Sequence, residues 1–132
     1  MDTAERIAKN EGYRRNKYLD SEGIETIGFG FNLEQGFDVT ESRMILNYRI
    51  EKIKNQLTFK LDYFITFPSE VQSVLVEMAY NLGVHGVLQF CKTINYLIAE
   101  DYEKASIEML DSKWADQVGD RAVRLSEIIR NV

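Results

Sequence analysis

Three side chains near the N-terminus are of the types that cleave glycosidic bonds. Glu11 precedes Gly12 at the predicted end of a short helix, Asp20 precedes the turn residues Ser21-Glu22-Gly23, and Thr26 follows on the far side of that turn. Two carboxyl groups in different surroundings are the minimum equipment for acid-assisted hydrolysis of a glycoside. The spacing therefore suggests Glu11 as a general acid and Asp20 as a second, ionised carboxylate.

The local surroundings expected from the sequence support this division of roles. The carbonyl groups at a helix C-terminus carry partial negative charge, which disfavours the charged form of Glu11. A general acid must hold its proton until the bond breaks. Asp20 lies at a turn near water and backbone donors and should stay ionised. Thr26 shares a strand face with Ile24, and a hydroxyl that faces Asp20 would hold a water, as an inverting mechanism requires.

Each of these residues also has an ordinary structural explanation. A Glu at a helix end is usually solvated, an Asp before Ser-Glu-Gly is common in turns, and Thr favours strands. The spacing alone predicts an α+β domain with a candidate carboxylate pair.

Length and composition exclude several classes of protein. The chain has 132 residues, of which 45% are hydrophobic, so a single domain (1–132) with one core is expected. The net charge of −5 makes nucleic acid an unfavourable partner. No apolar run approaches the roughly 20 residues of a membrane span, and no secretory segment follows the N-terminus. Cys91 is predicted to be a small buried residue, and the only His, His85, lacks partners at metal-ligand spacing.

The pattern along the chain predicts a small sheet followed by a helical bulk. Leu46, Ile50, Ile53 and Leu57 recur at helical spacing, and Pro68-Ser69 open another strongly periodic segment. Because so few strands cannot form a core alone, they should lean on the helices and leave a cleft between. The predicted helices cover residues 3–10, 40–58 with Thr40 as the cap, 69–82, 87–99, 102–110 and 119–131; the predicted strands cover 17–20, 24–28 and 31–33, and 61–67 form a connector.

Read together, the motifs resemble the phage-type lysozymes, glycoside hydrolase family 24. The first half carries the resemblance in Glu11-Gly12, in Tyr18-Leu19-Asp20-Ser21-Glu22-Gly23 and in Thr26-Ile27-Gly28-Phe29-Gly30. The second half carries it in Ala79-Tyr80-Asn81-Leu82-Gly83, in Ser112-Lys113-Trp114 and in Asp120-Arg121-Ala122-Val123-Arg124. The resemblance covers nearly the whole chain and is weakest over residues 40–68.

The resemblance implies a lysozyme-like α+β fold and hydrolysis of the β-1,4 bond between N-acetylmuramic acid and N-acetylglucosamine in peptidoglycan. The expected protein is a monomeric phage endolysin, or a wall-degrading domain of the virion, that needs no cofactor or metal. An endolysin would leave the host cytoplasm through a separately encoded membrane hole and then act on glycan strands. The implied roles are general acid for Glu11, second carboxylate for Asp20, water positioning for Thr26, orientation of Glu11 for Arg121, and substrate binding for Gly30, Phe31, Asn32, Asn81, Phe90 and Thr93.

Two residues depart from the family pattern, and the chain is short. Phe31 stands where His is common after Gly-x-Gly, and Asn10 stands where close relatives often have Asp. The missing length is expected between the hairpin and the helix at residue 40. Two other interpretations stay open, an inactive peptidoglycan-binding module and an unrelated helical interaction protein. The presence of Glu11, Asp20 and Thr26 together favours the enzyme, because a pure binder need not hold all three. Retention or inversion of the sugar configuration is left open.

Overall fold

The computed structural model describes residues 2–132 and falls into two compact units, Met1–Ile45 and Leu46–Val132. The boundary lies inside a long helix rather than in a linker. Each unit is built by a different kind of interaction. The single domain expected from the length stays a prediction.

The N-terminal unit begins with a capped helix and continues into a small sheet. In α1 (Thr3–Glu11), the Asp2 side chain accepts the amide of Glu5 at 2.8 Å while the Glu5 carboxylate accepts the amide of Asp2 at 3.0 Å. The helix ends at Gly12, whose φ of 71° is accessible mainly to glycine. Three antiparallel strands follow in the order β1 (Arg14–Leu19), β2 (Glu25–Gly28) and β3 (Phe31–Asn32).

The sheet register brings predicted site residues together. Thr26 lies opposite Tyr18 on β1 and opposite Asn32 on β3. An irregularity in the β1 pairing falls between Arg14 and Tyr18. Thr26 therefore lies on the central strand of the sheet and is paired on both sides.

The second unit is helical. The long helix α2 (Val39–Lys60) crosses the unit boundary and is followed by a 3-10 turn (Phe64–Thr66). The remaining helices are α3 (Ser69–Leu82), α4 (Val84–Leu88), α5 (Cys91–Ile98), α6 (Tyr102–Leu110), α7 (Lys113–Val118) and α8 (Asp120–Arg130).

The buried apolar core lies in the helical unit. Helix α6 packs against α5 and α8, and α3 packs against α4 and α8. The apolar spacing predicted for α2 and α3 is what brings their side chains into this core. Its largest fully buried apolar members are Phe64, Leu57, Leu75, Met78, Leu97, Met109, Ile129, Val71, Val74 and Val87.

The predicted α+β class is confirmed, and several local details differ. Helix α2 is capped by Asp38 rather than Thr40: the Asp38 side chain accepts the amide of Glu41 at 2.8 Å, and the Glu41 carboxylate accepts the amide of Asp38 at 2.9 Å. The helix predicted over 87–99 is two helices, because Phe90 takes a non-helical ψ of 56°. Helix α7, with its Ser112 cap, was not predicted.

The prediction that Cys91 is buried is wrong. Cys91 is the first residue of α5 and is exposed, with its Sγ 3.7 Å from the carbonyl oxygen of Leu88. The break at Phe90 starts a new helix there and leaves its first residue on the solvent side.

Candidate active site

Glu11 is held at the end of α1 with its carboxyl group against a glycine. A Cβ added to Gly30 would lie 2.8 Å from Cδ of Glu11 and closer still to Oε2. Gly30 also has a φ of 75°, which other residues rarely adopt. The close approach and the backbone conformation both require glycine, so the structure brings these two predicted site residues together.

The turn that carries Gly30 is stabilised by aromatic packing. The Phe31 ring covers Gly28, where an added Cβ would lie 2.9 Å from Cδ2 of Phe31. The same ring meets Phe37 edge-on, with ring centroids 6.2 Å apart. About half of Phe31 remains exposed. Phe31 thus has a packing role in the turn, and its predicted contact with substrate stays a prediction.

Asp20 is fixed by the backbone of its own turn. Its Oδ1 accepts the amides of Glu22 at 2.8 Å and Ile24 at 2.9 Å. These bonds set the direction of the carboxylate. Its other oxygen, Oδ2, makes no hydrogen bond with residues 2–45. One oxygen therefore anchors the group, and the other is available to a ligand.

Thr26 is the one buried side chain among residues 2–45, with 4% of its surface exposed. Its hydroxyl donates to the carbonyl oxygen of Ile24 at 2.9 Å. Thr26 and Asp20 share no hydrogen bond, but both bond to Ile24, one at the carbonyl and one at the amide. Because its proton is engaged, the Thr26 hydroxyl has lone pairs free to accept a bond from a water.

The Asn32 side chain bonds to the backbone of the turn that follows it. Its Oδ1 accepts the amides of Glu34 at 2.8 Å and Gln35 at 3.3 Å, which closes the turn after β3. Its predicted contact with substrate stays a prediction.

In the helical unit, Arg121 forms an ion pair with Glu77. The Arg121 Nε donates to Glu77 Oε2 at 3.0 Å, and both side chains keep a third to a half of their surface exposed. The sequence reasoning did not identify Glu77. Its position four residues before Asn81 on α3 is the signal that would have placed it on the same helix face. The predicted role of Arg121 toward Glu11 stays a prediction.

Asn81 and Phe90 meet at the buried Trp114. The indole Nε1 of Trp114 donates to Asn81 Oδ1 at 2.9 Å, and the Phe90 ring meets the indole edge-on at a centroid distance of 6.0 Å. Trp114 is 3% exposed, so these contacts anchor both predicted site residues to the core.

Phe90 and Thr93 also line a cavity of about 380 Å³. The Thr93 hydroxyl is buried and makes no hydrogen bond with any described residue. The sequence reasoning did not identify the polar residues on the other wall of this cavity. The lining residues are Gln89, Phe90, Cys91, Lys92, Thr93, Glu108, Asp111 and Ser112.

Over residues 2–132, no group of three or more His, Cys, Asp or Glu side chains is placed to hold a metal ion. Within the same range, no helix combines the length and the apolar character that crossing a membrane would need.

The comparisons with known proteins show the family of the chain. The sequence model of the family described as "Phage lysozyme" matches residues 8–128, which include Glu11, Asp20, Thr26 and Arg121. The chain therefore belongs to the phage lysozyme family. This membership supports a lysozyme-type, glycoside hydrolase function.

A relative that is much longer than this chain matches as well. The chain is 29% identical to the pre-baseplate central spike protein Gp5 of Enterobacteria phage T4, over 98% of this chain and 28% of that protein. The chain thus spans little more than a quarter of the relative's length. The alignment extends over 159 positions against the 132 residues here, so the relative carries residues with no counterpart in this chain.

Proposed function

We propose that this protein is a muramidase that hydrolyses the β-1,4 bond between N-acetylmuramic acid and N-acetylglucosamine in peptidoglycan. The observation that carries the proposal is the placement of Glu11. Its carboxyl group lies against Gly30, the residue is exposed, and the carboxyl group makes no hydrogen bond or ion pair with residues 2–45. A general acid must bring its carboxyl group within hydrogen-bond reach of the glycosidic oxygen, and no protein group among residues 2–45 occupies that of Glu11.

Asp20 and Thr26 have complementary roles in the proposed reaction. Glu11 donates its proton to the glycosidic oxygen as the bond breaks. Asp20 presents Oδ2 while its Oδ1 is held by two amides, so its charge is fixed in direction. Thr26 accepts one hydrogen bond from the attacking water, and Asp20 Oδ2 takes the proton that the water releases as its oxygen bonds to the sugar carbon. The orientation of Asp20 and Thr26 before substrate arrives lowers the reorganisation that the reaction requires.

The biological setting has two candidate forms. A phage endolysin would be monomeric, would leave the host cytoplasm when the inner membrane is breached, and would lyse the host. The relative named a central spike protein of the baseplate supports the second form, a wall-degrading domain of a virion. Both forms act on the same polymer with the same residues. Neither setting requires nucleic acid as a partner or insertion into the membrane.

The proposal is tested with outer-membrane-permeabilised Gram-negative cells and purified sacculi. The folded protein should clear the cell suspension, and mass spectrometry should find disaccharide-peptide fragments from sacculi that end in N-acetylmuramic acid. If folded protein binds sacculi and releases no fragments, the inactive binding module is the better description. If it neither binds nor cleaves, the proposal fails.

The role of Asp20 has a closely matched test in Asp20→Asn. The amide oxygen of Asn can still accept the amides of Glu22 and Ile24, so the turn should form, while the charge is lost. The expected fall in hydrolysis rate is about 10²–10⁴-fold with an unchanged melting temperature. Wild-type rates in this variant would remove Asp20 from the mechanism.

A further inference from the structure

The long helix α2 exposes aromatic residues on the side opposite its buried face. Leu57 is fully buried, and Ile50 and Ile53 pack on the same core. At 100° per residue, Tyr48 and Phe59 lie on the opposite side of the helix. Tyr48 is 70% exposed and Phe59 is 85% exposed. Single exposed apolar residues are common, but two rings on one helix side form a surface that needs an explanation.

Two adjoining depressions lie on this part of the helical unit, and both are lined entirely by residues of that unit. One has a volume of about 360 Å³ and lies between Tyr48 and Phe59; the other, of about 460 Å³, is bounded by Tyr80 of α3. They share Lys52 and Gln56, so they form one continuous surface. We call it the α2 groove; its residues are Tyr48, Arg49, Glu51, Lys52, Ile53, Asn55, Gln56, Phe59, Lys60 and Tyr80.

The charge of α2 is opposite to that of the chain. Residues 39–60 contain five Lys and Arg against two Glu, in a chain of net charge −5. In the groove, Glu51 is 3.5 Å from Lys54, whereas Arg49, Lys52 and Lys60 form no ion pair with any residue of 2–132. Three uncompensated cations beside exposed rings are complementary to an anionic partner.

We propose that the α2 groove is a second binding surface for peptidoglycan, separate from the Glu11 site. This inference rests on the proposed function for the identity of the polymer. Tyr48 and Phe59 are eleven residues apart, or about 16 Å along the helix, a length that suits an extended strand rather than a small molecule. The rings offer apolar faces to sugar rings, Asn55 and Gln56 offer amides, and the cations face the carboxylates of the attached peptides.

The shape of the groove favours a polymer over a lipid surface. A helix that binds a membrane presents one continuous apolar face to the bilayer. The continuous apolar face of α2 is already buried in the core. Its exposed rings are separated along the helix by Lys52, Asn55 and Gln56, which line a shallow, open depression. Polar side chains between the rings can reach the hydroxyl and amide groups of a glycan.

The test is co-sedimentation with purified Gram-negative sacculi, in a Glu11→Gln background that prevents digestion. The double variant Arg49→Glu/Lys52→Glu should bind roughly tenfold more weakly, and Tyr48→Ser/Phe59→Ser should also weaken binding. The control Arg43→Glu/Lys104→Glu changes the net charge equally outside the groove, and Tyr63→Ser removes an exposed ring outside it. Both controls should bind as the parent does. A melting temperature for each variant confirms that the fold is kept.

A second experiment tests whether the carboxylates of peptidoglycan are what the groove binds. Sacculi whose carboxylates are converted to amides should bind the parent more weakly and should abolish the difference between parent and Arg49→Glu/Lys52→Glu. If the groove variants bind sacculi as tightly as the parent does, the inference is wrong. If they lose binding only to anionic phospholipid vesicles, the partner is a membrane and the inference is wrong.

The inference and the proposed function can fail separately. Hydrolysis of sacculi by the unmutated protein, together with unchanged sacculus binding by the groove variants, would overturn the groove alone. Groove-dependent binding by a protein that releases no fragments would overturn the muramidase and keep the groove.

Discussion

The two units of this protein are held in shape by different means. Among residues 2–45 only Thr26 is buried, whereas the buried apolar side chains of the described chain all lie beyond residue 56. The N-terminal unit depends on caps, glycine turns and hydrogen bonds such as those of Asp20. The helical unit depends on packing. The three residues proposed for the chemistry are therefore in the unit with little hydrophobic core of its own.

This difference suggests a division of labour. Burial of apolar surface is the dominant stabilising term in folding, so most of the free energy of unfolding should come from the helical unit. In the N-terminal unit, backbone hydrogen bonds set the direction of each reactive group. Substitutions in the two units should therefore separate stability from activity.

The largest expected effect on stability follows from Leu57→Ala. Truncation of a fully buried leucine leaves a cavity and should lower the free energy of unfolding by about 2–5 kcal/mol. Urea denaturation followed by circular dichroism measures it. The matched variant Ile7→Ala, at a half-exposed position on α1, should change this energy by less than about 0.5 kcal/mol. Equal losses of the free energy of unfolding in the two variants would contradict the difference between the units.

Gly30→Ala should affect both stability and activity. The positive φ of Gly30 should cost about 1–2 kcal/mol of stability with alanine, and the new Cβ would displace the Glu11 carboxyl group. A misplacement of a reacting group by about 1 Å is expected to lower the hydrolysis rate about 10²-fold.

Gly36→Ala is the control for the Gly30 prediction. Gly36 has a φ of 69° and nothing within 4 Å of an added Cβ, so it carries the backbone strain without the contact. Its stability should fall by a similar amount while its hydrolysis rate is kept. A similar loss of rate in both variants would show that strain, rather than the contact with Glu11, matters.

The smallest predicted effect distinguishes two candidate caps of α2. Asp38→Ala removes the side chain that accepts the Glu41 amide and should lower the free energy of unfolding by about 1 kcal/mol. Thr40→Ala should leave it nearly unchanged, because Thr40 lies inside the first turn. Thermal denaturation of both variants measures the two losses of stability. A larger loss in Thr40→Ala than in Asp38→Ala would show that Thr40 is the cap.

The success of the sequence predictions follows the same division. The α+β class was predictable because apolar spacing along α2 and α3 specifies a packed helical face. The break at Phe90 was not, because the apolar pattern continues across it and only the backbone ψ changes. The Asp38 cap was missed because Asp38 and Thr40 are both good cap residues and only the hydrogen bond to Glu41 separates them.

For the site, the family resemblance implied substrate binding for Gly30, and the structure adds its direct contact with Glu11. Spacing could not show that Ile24 links Asp20 and Thr26, because these bonds use backbone atoms common to every residue. Glu77 was not predicted, because its ion pair with Arg121 joins α3 and α8 at positions 44 residues apart in the sequence.

The most direct measurement of the proposed chemistry is the hydrolysis of purified sacculi by Glu11→Gln. The Glu11 carboxyl group makes no hydrogen bond or ion pair with residues 2–45, so the amide should leave the unfolding midpoint in urea unchanged. Loss of the transferable proton should lower the rate of fragment release by about 10²–10⁴-fold. A Glu11→Gln variant that is folded and keeps most of the wild-type rate would contradict the assignment of Glu11 as the general acid.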